Sequence, residues 1–217
     1  MASKDIGLIF CAESVRAFLE GRKTKTRRII KPQPEVIPVK HRAPAYPEHI
    51  LRHPNHYGGT LTVEEYIKHC PYSVGDRVYV KEAIYCKLTE GQRIVPLTYY
   101  KADDSKLIIY FDDGDSCPVG WQYKTKTLSA MFMQKRFARI WREITDIKVE
   151  RVQDISEEDA RAEGVTPRHI DDLGQTWQTY KRGFESLWDF LNAKRGYSWE
   201  SNPYVWALSL KEAKDGK

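Results

Sequence analysis

Residues 137–152 form the longest β-type stretch of the chain, and this stretch constrains the fold most. Apolar and polar side chains alternate along it, but the alternation changes phase near Thr145 and Asp146, which predicts a bulge or bend in a long strand. Further strand-like runs occupy residues 6–10, 28–30, 77–84, 94–101, 107–111 and 204–210. Many short strands with few helices predict an α+β fold, organised as a small β-barrel with helices at its flanks.

Three segments carry helix signals. Ser14 is the predicted N-cap of a first helix that ends at Gly21, and residues 156–159 begin a second helix that ends at Gly164. The third helix is amphipathic, with apolar side chains at helical spacing at Tyr180, Phe184, Leu187, Trp188 and Leu191. The last strand carries on one face Tyr204, Trp206, Leu208 and Leu210.

The length of 217 residues favours one domain, residues 1–217. Residues 31–71 are rich in Pro, His, Asn and Gly, show a short helical pattern around residues 63–67 and are predicted to be a loop insertion. Residues 86–136 are a second variable segment. No apolar run approaches the roughly 20 residues of a membrane span, and residues 1–10 lack the features of a signal peptide. We therefore expect a cytoplasmic protein with no membrane partner.

The spacing of cysteines and histidines argues against a disulfide framework or a metal site. The four cysteines form no CxxC pair, so free thiols in a reducing compartment are expected. Five of the six histidines fall within residues 41–69, beside Cys70, but Pro47 and Pro54 break any helix that would align them. We predict no metal and no cofactor.

The most distinctive motif is residues 21–28, which contain two lysines, three arginines and two threonines. A threonine hydroxyl needs a base to act as a nucleophile, and a lysine can be that base only if burial or neighbouring cations destabilise its ammonium. Lys23 lies among four other cations, and Thr26 follows three residues later, so the two side chains meet only if the chain turns at Lys23 and Thr24. A solvated basic turn or a phosphate-binding patch is the alternative interpretation.

Two glutamates are further candidates. Glu163 falls in the last turn of the second helix, where the helix dipole disfavours a carboxylate, a setting useful for a residue that handles protons. An ordinary exposed helical glutamate is the alternative. Glu82 ends an otherwise apolar strand and is a candidate lining of a pocket, with a plain turn and strand as its alternative.

Together with residues 75–76 and the closing strand 205–208, the basic motif resembles the ASCH domain family. The longer architecture, with residues 141–160 and a late Leu-Trp helix, resembles the phage and prophage branch of that family. The resemblance implies a PUA-like β-barrel. It also implies similarity to small ASCH amidohydrolases that remove the acyl group from N4-acetylcytidine.

The family motif G-R-K-T-x-T-x-R matches this chain from Gly21 to Arg28. The resemblance implies that Lys23 is the base and that Thr26 is the nucleophile. By its spacing from Ile155, Glu163 corresponds to the family's glutamate, and all three are then catalytic. Arg22 or Arg28 would hold the oxyanion or the nucleoside, with Glu82 in the pocket, and no metal is required.

Other classes of function stay open at this stage. The same basic cluster suits a PUA-like module that binds RNA or DNA, or a ribonuclease, and the net charge of +5 agrees with an anionic partner. A third class is an interaction protein without catalysis, in which residues 31–71 recognise a partner. The sequence makes no prediction about the oligomeric state.

Overall fold

The computed structural model describes residues 3–38, 49–52, 61–62, 65–87, 96–110, 116–167 and 179–213. The chain divides into two compact units, each made of segments that are discontinuous in sequence. The first unit consists of Met1–Gly21, Asp76–Glu143 and Glu212–Lys217, and the second of Arg22–Gly75 and Ile144–Lys211. That these units form one domain stays a prediction.

The described residues form twelve strands and three α-helices, with short 3₁₀ turns between them. The strands are β1 (Asp5–Ile9), β2 (Lys25–Ile29), β3 (Glu35–Pro38), β4 (His49–Arg52), β5 (Arg77–Lys81), β6 (Ile84–Lys87), β7 (Leu97–Tyr100), β8 (Ile108–Tyr110), β9 (Ser116–Pro118), β10 (Thr127–Leu128), β11 (Trp141–Arg151) and β12 (Tyr204–Glu212). The helices are α1 (Ala12–Leu19), α2 (Glu157–Ala162) and α3 (Tyr180–Asn192). The predicted α+β class is confirmed. Within the described ranges the strands form open sheets and no closed barrel.

In the first unit β1 runs parallel to β5, and β5 pairs antiparallel with the start of β11. A second sheet of this unit has the order β10-β6-β7, and β8 pairs with β9. The apolar core beside β6 and β7 is formed by Ile84, Tyr100, Leu107, Met133 and Phe137. The runs predicted at 94–101 and 107–111 contain β7 and β8, whereas the run predicted at 77–84 is divided between β5 and the first residue of β6.

In the second unit β12 lies between β11 and β2. Val205 of β12, opposite Ile29 of β2, packs with α2 and α3. Buried residues of this core are Val152, Ile155, Ala160, Val165, Phe184 and Trp188. Side chains alternate along a strand, so residues 204, 206 and 208 of β12 lie on the sheet face that points away from this core. Residues 26, 28 and 30 lie on the same face. This two-faced sheet positions the residues of the candidate site.

The strand β11 shows the predicted change of phase. Ile144 is buried, Thr145 and Asp146 are both exposed, and burial resumes at Ile147 and Val149. The predicted loop 31–71 contains the antiparallel pair β3–β4, which was not expected, and a 3₁₀ turn at Glu65–His69 that overlaps the helical pattern around residues 63–67. Its prolines and histidines concealed these short strands, in which the fully buried Leu51 lies opposite Val36.

Helix ends follow the predictions with one exception. Gly21 and Gly164 are left-handed, and the Ser156 side chain accepts a hydrogen bond from the Asp159 amide as an N-cap. The prediction that Ser14 caps the first helix is wrong, because α1 begins at Ala12 after Cys11 and Ser14 is buried inside it. None of the helices in the described ranges is both long and apolar enough to span a membrane.

Candidate functional site

The basic motif is fastened to the end of α2 by backbone hydrogen bonds. Lys23 forms an isolated antiparallel bridge with Glu163, and the Thr24 amide donates to the carbonyl of Ala162 at 2.8 Å. On its other side the Thr24 carbonyl accepts from Leu210 at 2.7 Å, so Thr24 continues β2 instead of turning. The bend that the sequence requires between Lys23 and Thr26 is therefore absent at this point of the described backbone.

Lys23 and Glu163 form a buried ion pair. The Lys23 Nζ atom donates to Glu163 Oε2 at 2.6 Å and to the Glu163 carbonyl oxygen at 2.7 Å. The two side chains are only 2% and 4% exposed. Glu163 is thus no ordinary exposed helical glutamate. A carboxylate at this distance favours the charged ammonium, in contrast to the cation-rich surroundings that the sequence predicts for Lys23.

Further charges surround this pair. Arg27 donates to Glu163 Oε1 at 3.2 Å, to Asp159 Oδ2 at 2.9 Å and to Glu150 Oε1 at 2.7 Å. Lys25 also donates to Asp159. The cations Lys23, Lys25 and Arg27 are therefore matched by the carboxylates of Glu150, Asp159 and Glu163. We call these six residues the charge network.

Two members of the charge network have shifted pKa values. Burial lowers the pKa of Arg27, but the nearby Glu163 and Glu150 outweigh burial and hold this pKa above its usual value. Burial raises the pKa of Asp159, but hydrogen bonds from Lys25 and Arg27 outweigh it and hold this pKa below its usual value. The network therefore stabilises both groups in their charged forms.

Thr26 is buried, at 4% exposure, and lies between Lys25 and Arg27 on β2. Because neighbouring side chains of a strand point to opposite faces, Thr26 points away from the side on which Lys25 and Arg27 contact Asp159. The Lys23 amine donates instead to the carbonyl oxygen and the carboxylate of Glu163. The structure thus brings Lys23 and Glu163 together, and the nucleophilic role of Thr26 stays a prediction.

The two arginines proposed for substrate binding occupy different positions. Arg22 donates through NH1 to the carbonyl of Gly164, directly after Glu163. Arg28 lies opposite Trp206 on the same sheet face as Thr26. Burial raises the pKa of Tyr72, and the positive charge of Arg28 opposes that rise. Arg28 is therefore the arginine that shares a face with Thr26.

Glu82 belongs to the first unit and is held by Arg139. The Arg139 Nε and NH2 atoms donate to the two Glu82 carboxylate oxygens at 2.8 and 2.9 Å. Burial raises the pKa of Glu82, although the hydrogen bonds and charge of Arg139 oppose the rise. Arg139 also donates to Asp103 and lies over the ring of Tyr100, 3.9 Å from its centroid. The structure gives Glu82 the surroundings of a buried ion-pair partner.

The sequence missed several charged residues of these sites. Asp159 precedes Glu163 by four residues, so helical periodicity alone could have placed both carboxylates on one face of α2. Glu150 lies 123 residues from Arg27, and Arg139 lies 57 residues from Glu82. No spacing rule connects residues so far apart in the chain.

Two cavities lie within the described residues. One in the first unit has a volume of about 370 Å³ and is lined in part by Arg139 and Arg142. The other, in the second unit, has about 160 Å³ and includes Trp206. Lys23, Thr26 and Glu163 line neither of these two cavities.

The histidines and cysteines that the sequence offers as metal ligands form no site in the part of the chain that the structure describes. Within the described ranges, no group of three or more His, Cys, Asp or Glu side chains is placed to hold a metal ion. Of the clustered histidines, His41, His53 and His56 lie outside the described residues. All four cysteines are free thiols.

Comparisons with models of protein families, with curated proteins and with solved structures yield no match for this chain. The geometry of the charge network and of the neighbouring sheet face is therefore the basis for any functional assignment.

Proposed function

We propose that the protein is a cytoplasmic amidohydrolase of the ASCH type, with a PUA-like arrangement of its sheets, that removes the acyl group from N4-acylated cytidine. The observation that carries this proposal is the 2.6 Å contact between Lys23 Nζ and Glu163 Oε2 inside the protein. Burial disfavours both charged forms, and the direct contact gives a path along which a proton can pass between the amine and the carboxylate. The free thiols agree with a reducing compartment.

The proposed reaction begins with proton transfers around this pair. Lys23 gives a proton to Glu163 and then accepts the hydroxyl proton of Thr26, whose oxygen attacks the acyl carbonyl carbon. The carbon–nitrogen bond breaks, and the departing N4 amine receives the proton from Lys23. Water then attacks the Thr26 ester, and Lys23 accepts the proton from water and passes it to the Thr26 oxygen as the ester bond breaks. The carboxylic acid is released, and Glu163 returns its proton to Lys23. Lys23 and Thr26 point to opposite faces of the extended backbone. We therefore propose that the backbone at residues 23–26 bends when substrate binds, which brings the Thr26 hydroxyl to Lys23.

Arg28 is the residue that we propose to hold the oxyanion or the nucleoside, because it shares the sheet face of Thr26. Arg22 donates to the Gly164 carbonyl and is proposed to position the segment that carries Glu163. We assign Glu82 no contact with substrate, since Arg139 engages both of its carboxylate oxygens.

The charge network weighs against the alternative of nucleic-acid binding through the same motif. Lys23, Lys25 and Arg27 each donate to a carboxylate of the protein. Donors engaged in this way are not directed at phosphates. A phosphate-binding site would in addition give an affinity for RNA or DNA that falls steeply with salt.

The test is hydrolysis of N4-acetylcytidine by the purified protein, measured by the appearance of cytidine. Thr26→Ala should abolish turnover and Thr26→Ser should retain part of it, because serine supplies the same hydroxyl. Glu163→Gln should lower kcat by about 10²–10⁴-fold, the range typical of a lost proton-transfer group. Thr145→Ala, at an exposed threonine of β11, is the matched control and should leave turnover unchanged.

Several results would overturn parts of the proposal. Full turnover in Thr26→Ala removes the nucleophile assignment and leaves water as the attacking group. A wild-type protein that does not hydrolyse N4-acetylcytidine, yet binds RNA in a salt-dependent manner, supports the nucleic-acid alternative instead.

A further inference from the structure

The cavity of about 160 Å³ in the second unit has no role in the proton transfers proposed above. Its lining includes Ile30, Lys31, Tyr66, His69, Tyr72 and Trp206. Pockets for drug-sized ligands usually enclose about 300–1,000 Å³, so this cavity suits a smaller group such as one planar ring.

Aromatic rings dominate the wall of this cavity. Trp206 and Tyr66 are stacked, with their ring centroids 5.9 Å apart and their planes inclined by 29°. The His69 ring lies 5.4 Å from the Tyr66 ring. Tyr66 is fully buried and Trp206 is 4% exposed, so Tyr66 holds Trp206 in place and Trp206 supplies the aromatic surface that a ligand reaches. A fixed aromatic wall is the type of surface on which a nucleobase stacks.

Polar groups occupy the edge of the same cavity. The Tyr72 hydroxyl and the His69 imidazole offer hydrogen-bonding groups to the edge of a heterocycle. Burial raises the pKa of Tyr72, and the positive charge of Arg28 opposes this rise. The charge of Arg28 is therefore felt at Tyr72 in the cavity lining. Lys31 is exposed, and its Nζ atom lies 5.1 Å from the centroid of the Tyr197 ring. The cavity therefore combines ring faces with hydrogen-bonding and cationic groups.

The register of the sheet relates this cavity to Thr26. Trp206 is opposite Arg28, and Leu208 is opposite Thr26, with all four residues on one face. At roughly 3.3 Å per residue, Thr26 lies about 7 Å along β2 from the position opposite Trp206. A ring bound beside Trp206 can thus direct a substituent of its edge along the strand toward Thr26.

We propose that this cavity binds the pyrimidine ring of the acylated nucleoside, with Trp206, supported by Tyr66, as its aromatic wall and with Tyr72 and His69 in its lining. The inference rests on the proposed function and adds the residues that select the substrate. Those residues lie outside the basic motif, mainly in residues 65–72. Selection of the base and chemistry on the acyl group therefore come from separate parts of the second unit.

The experiment measures binding of cytidine, the unacylated product, by titration calorimetry, and separately the KM and kcat for N4-acetylcytidine. Tyr72→Leu removes the ring and hydroxyl from the cavity edge and should raise both the Kd for cytidine and the KM by about tenfold, with kcat little changed. Tyr85→Leu, at a half-buried tyrosine of the first unit, is the matched control and should leave both constants within about twofold. Circular dichroism and thermal unfolding establish that both variants fold.

The possible outcomes separate this inference from the proposed function. Turnover with an unchanged Kd and KM in folded Tyr72→Leu overturns the inference and leaves the amidohydrolase proposal intact. Cytidine binding that depends on Tyr72, in a protein that does not hydrolyse N4-acetylcytidine, supports the base site and overturns the proposed function. Absence of cytidine binding in the wild type overturns the inference directly.

Discussion

Glu163 Oε2 lies 2.6 Å from Lys23 Nζ although 140 residues separate the two in the chain. Backbone hydrogen bonds join the residues just before β2 to the end of α2. They hold the backbones of Lys23 and Glu163 side by side, so the two side chains meet. A buried ion pair is seldom favoured for stability alone, since removing two charges from water is costly. The free energy of this pair can therefore be tested directly by substitution.

The ion pair should be coupled energetically. Glu163→Leu leaves the buried Lys23 without its carboxylate and should lower the free energy of unfolding by about 3–5 kcal/mol. The double variant Lys23→Met/Glu163→Leu should recover at least half of that loss, because no uncompensated ammonium remains. Urea unfolding followed by circular dichroism measures both values.

The control for this cycle is Glu35→Gln, which removes an exposed ion pair with Arg52. Such surface pairs contribute about 0–1 kcal/mol, so this variant should differ little from the wild type. Strict additivity of Lys23→Met and Glu163→Leu would show that the pair is not energetically coupled.

Acid should weaken the charge network through Asp159. The pKa of Asp159 is held below its usual value in the folded protein, so the folded state binds fewer protons than the unfolded state. Its stabilising contribution is therefore present above the usual carboxyl range and is lost as the pH falls through the folded pKa. The difference in unfolding free energy between the wild type and Asp159→Asn should shrink when the pH is lowered from neutral to about 3.

Asp146→Asn is the control for this pH series. Asp146 is about half exposed and lies 3.9 Å from Lys148, so the variant should show a small difference at every pH. An Asp159→Asn difference that stays constant with pH would contradict the assignment of the low pKa to the contacts with Lys25 and Arg27.

Removal of Arg139 should give a destabilisation that grows with pH. Burial already raises the pKa of Glu82 despite Arg139, and the Arg139→Met variant should raise it further. A carboxyl group whose folded pKa is raised favours the folded state below its unfolded pKa and loses that contribution as the pH rises. Asp103 also loses a partner in this variant. Burial raises the pKa of Asp103, but its contacts with Arg139 and Ser105 outweigh burial and hold this pKa below its usual value.

Thermal unfolding of Arg139→Met and wild type between pH 3 and pH 8, about the range over which carboxyl groups with raised pKa ionise, measures this effect. Arg52→Met, at an exposed arginine of β4, is the control and should shift the melting temperature little at any pH. A destabilisation by Arg139→Met that is largest at pH 3 would contradict the ionisation of Glu82 as its cause.

Gly183→Ala should destabilise the second unit although alanine is the better helix former. A Cβ atom at residue 183 would collide with the backbone carbonyl oxygen of Thr166, which cannot rotate away. We expect a loss of about 1–3 kcal/mol, larger than the roughly 1 kcal/mol that helix propensity would contribute. Ser186→Ala in the same helix is the control, with little loss or a slight gain, and a stabilised Gly183→Ala would show that Thr166 does not contact α3 closely.

Local sequence patterns predicted the elements that depend only on residues close together in the chain. The phase change in β11 follows from Thr145 and Asp146 themselves, and the Ser156 cap follows from residues within one turn. The pair β3–β4 was missed because its stability depends on pairing between polar and proline-rich segments, across separations that reach 17 residues for Glu35 and Arg52. The cap of α1 was missed because Ser14 is buried by packing instead of capping the helix.

The amino-acid sequence by itself determined the periodicities, the glycine and serine signals at the helix ends, and a motif rich in cations and hydroxyls, because these depend on neighbours within a few residues. Only the tertiary structure decided that Glu163, Asp159 and Glu150 pair with three of the five cations of that motif. It also decided that Thr26 and Trp206 share one face of the sheet. The physical reason is that charge pairing and strand register depend on distances in space between segments more than a hundred residues apart, and no local pattern encodes those distances.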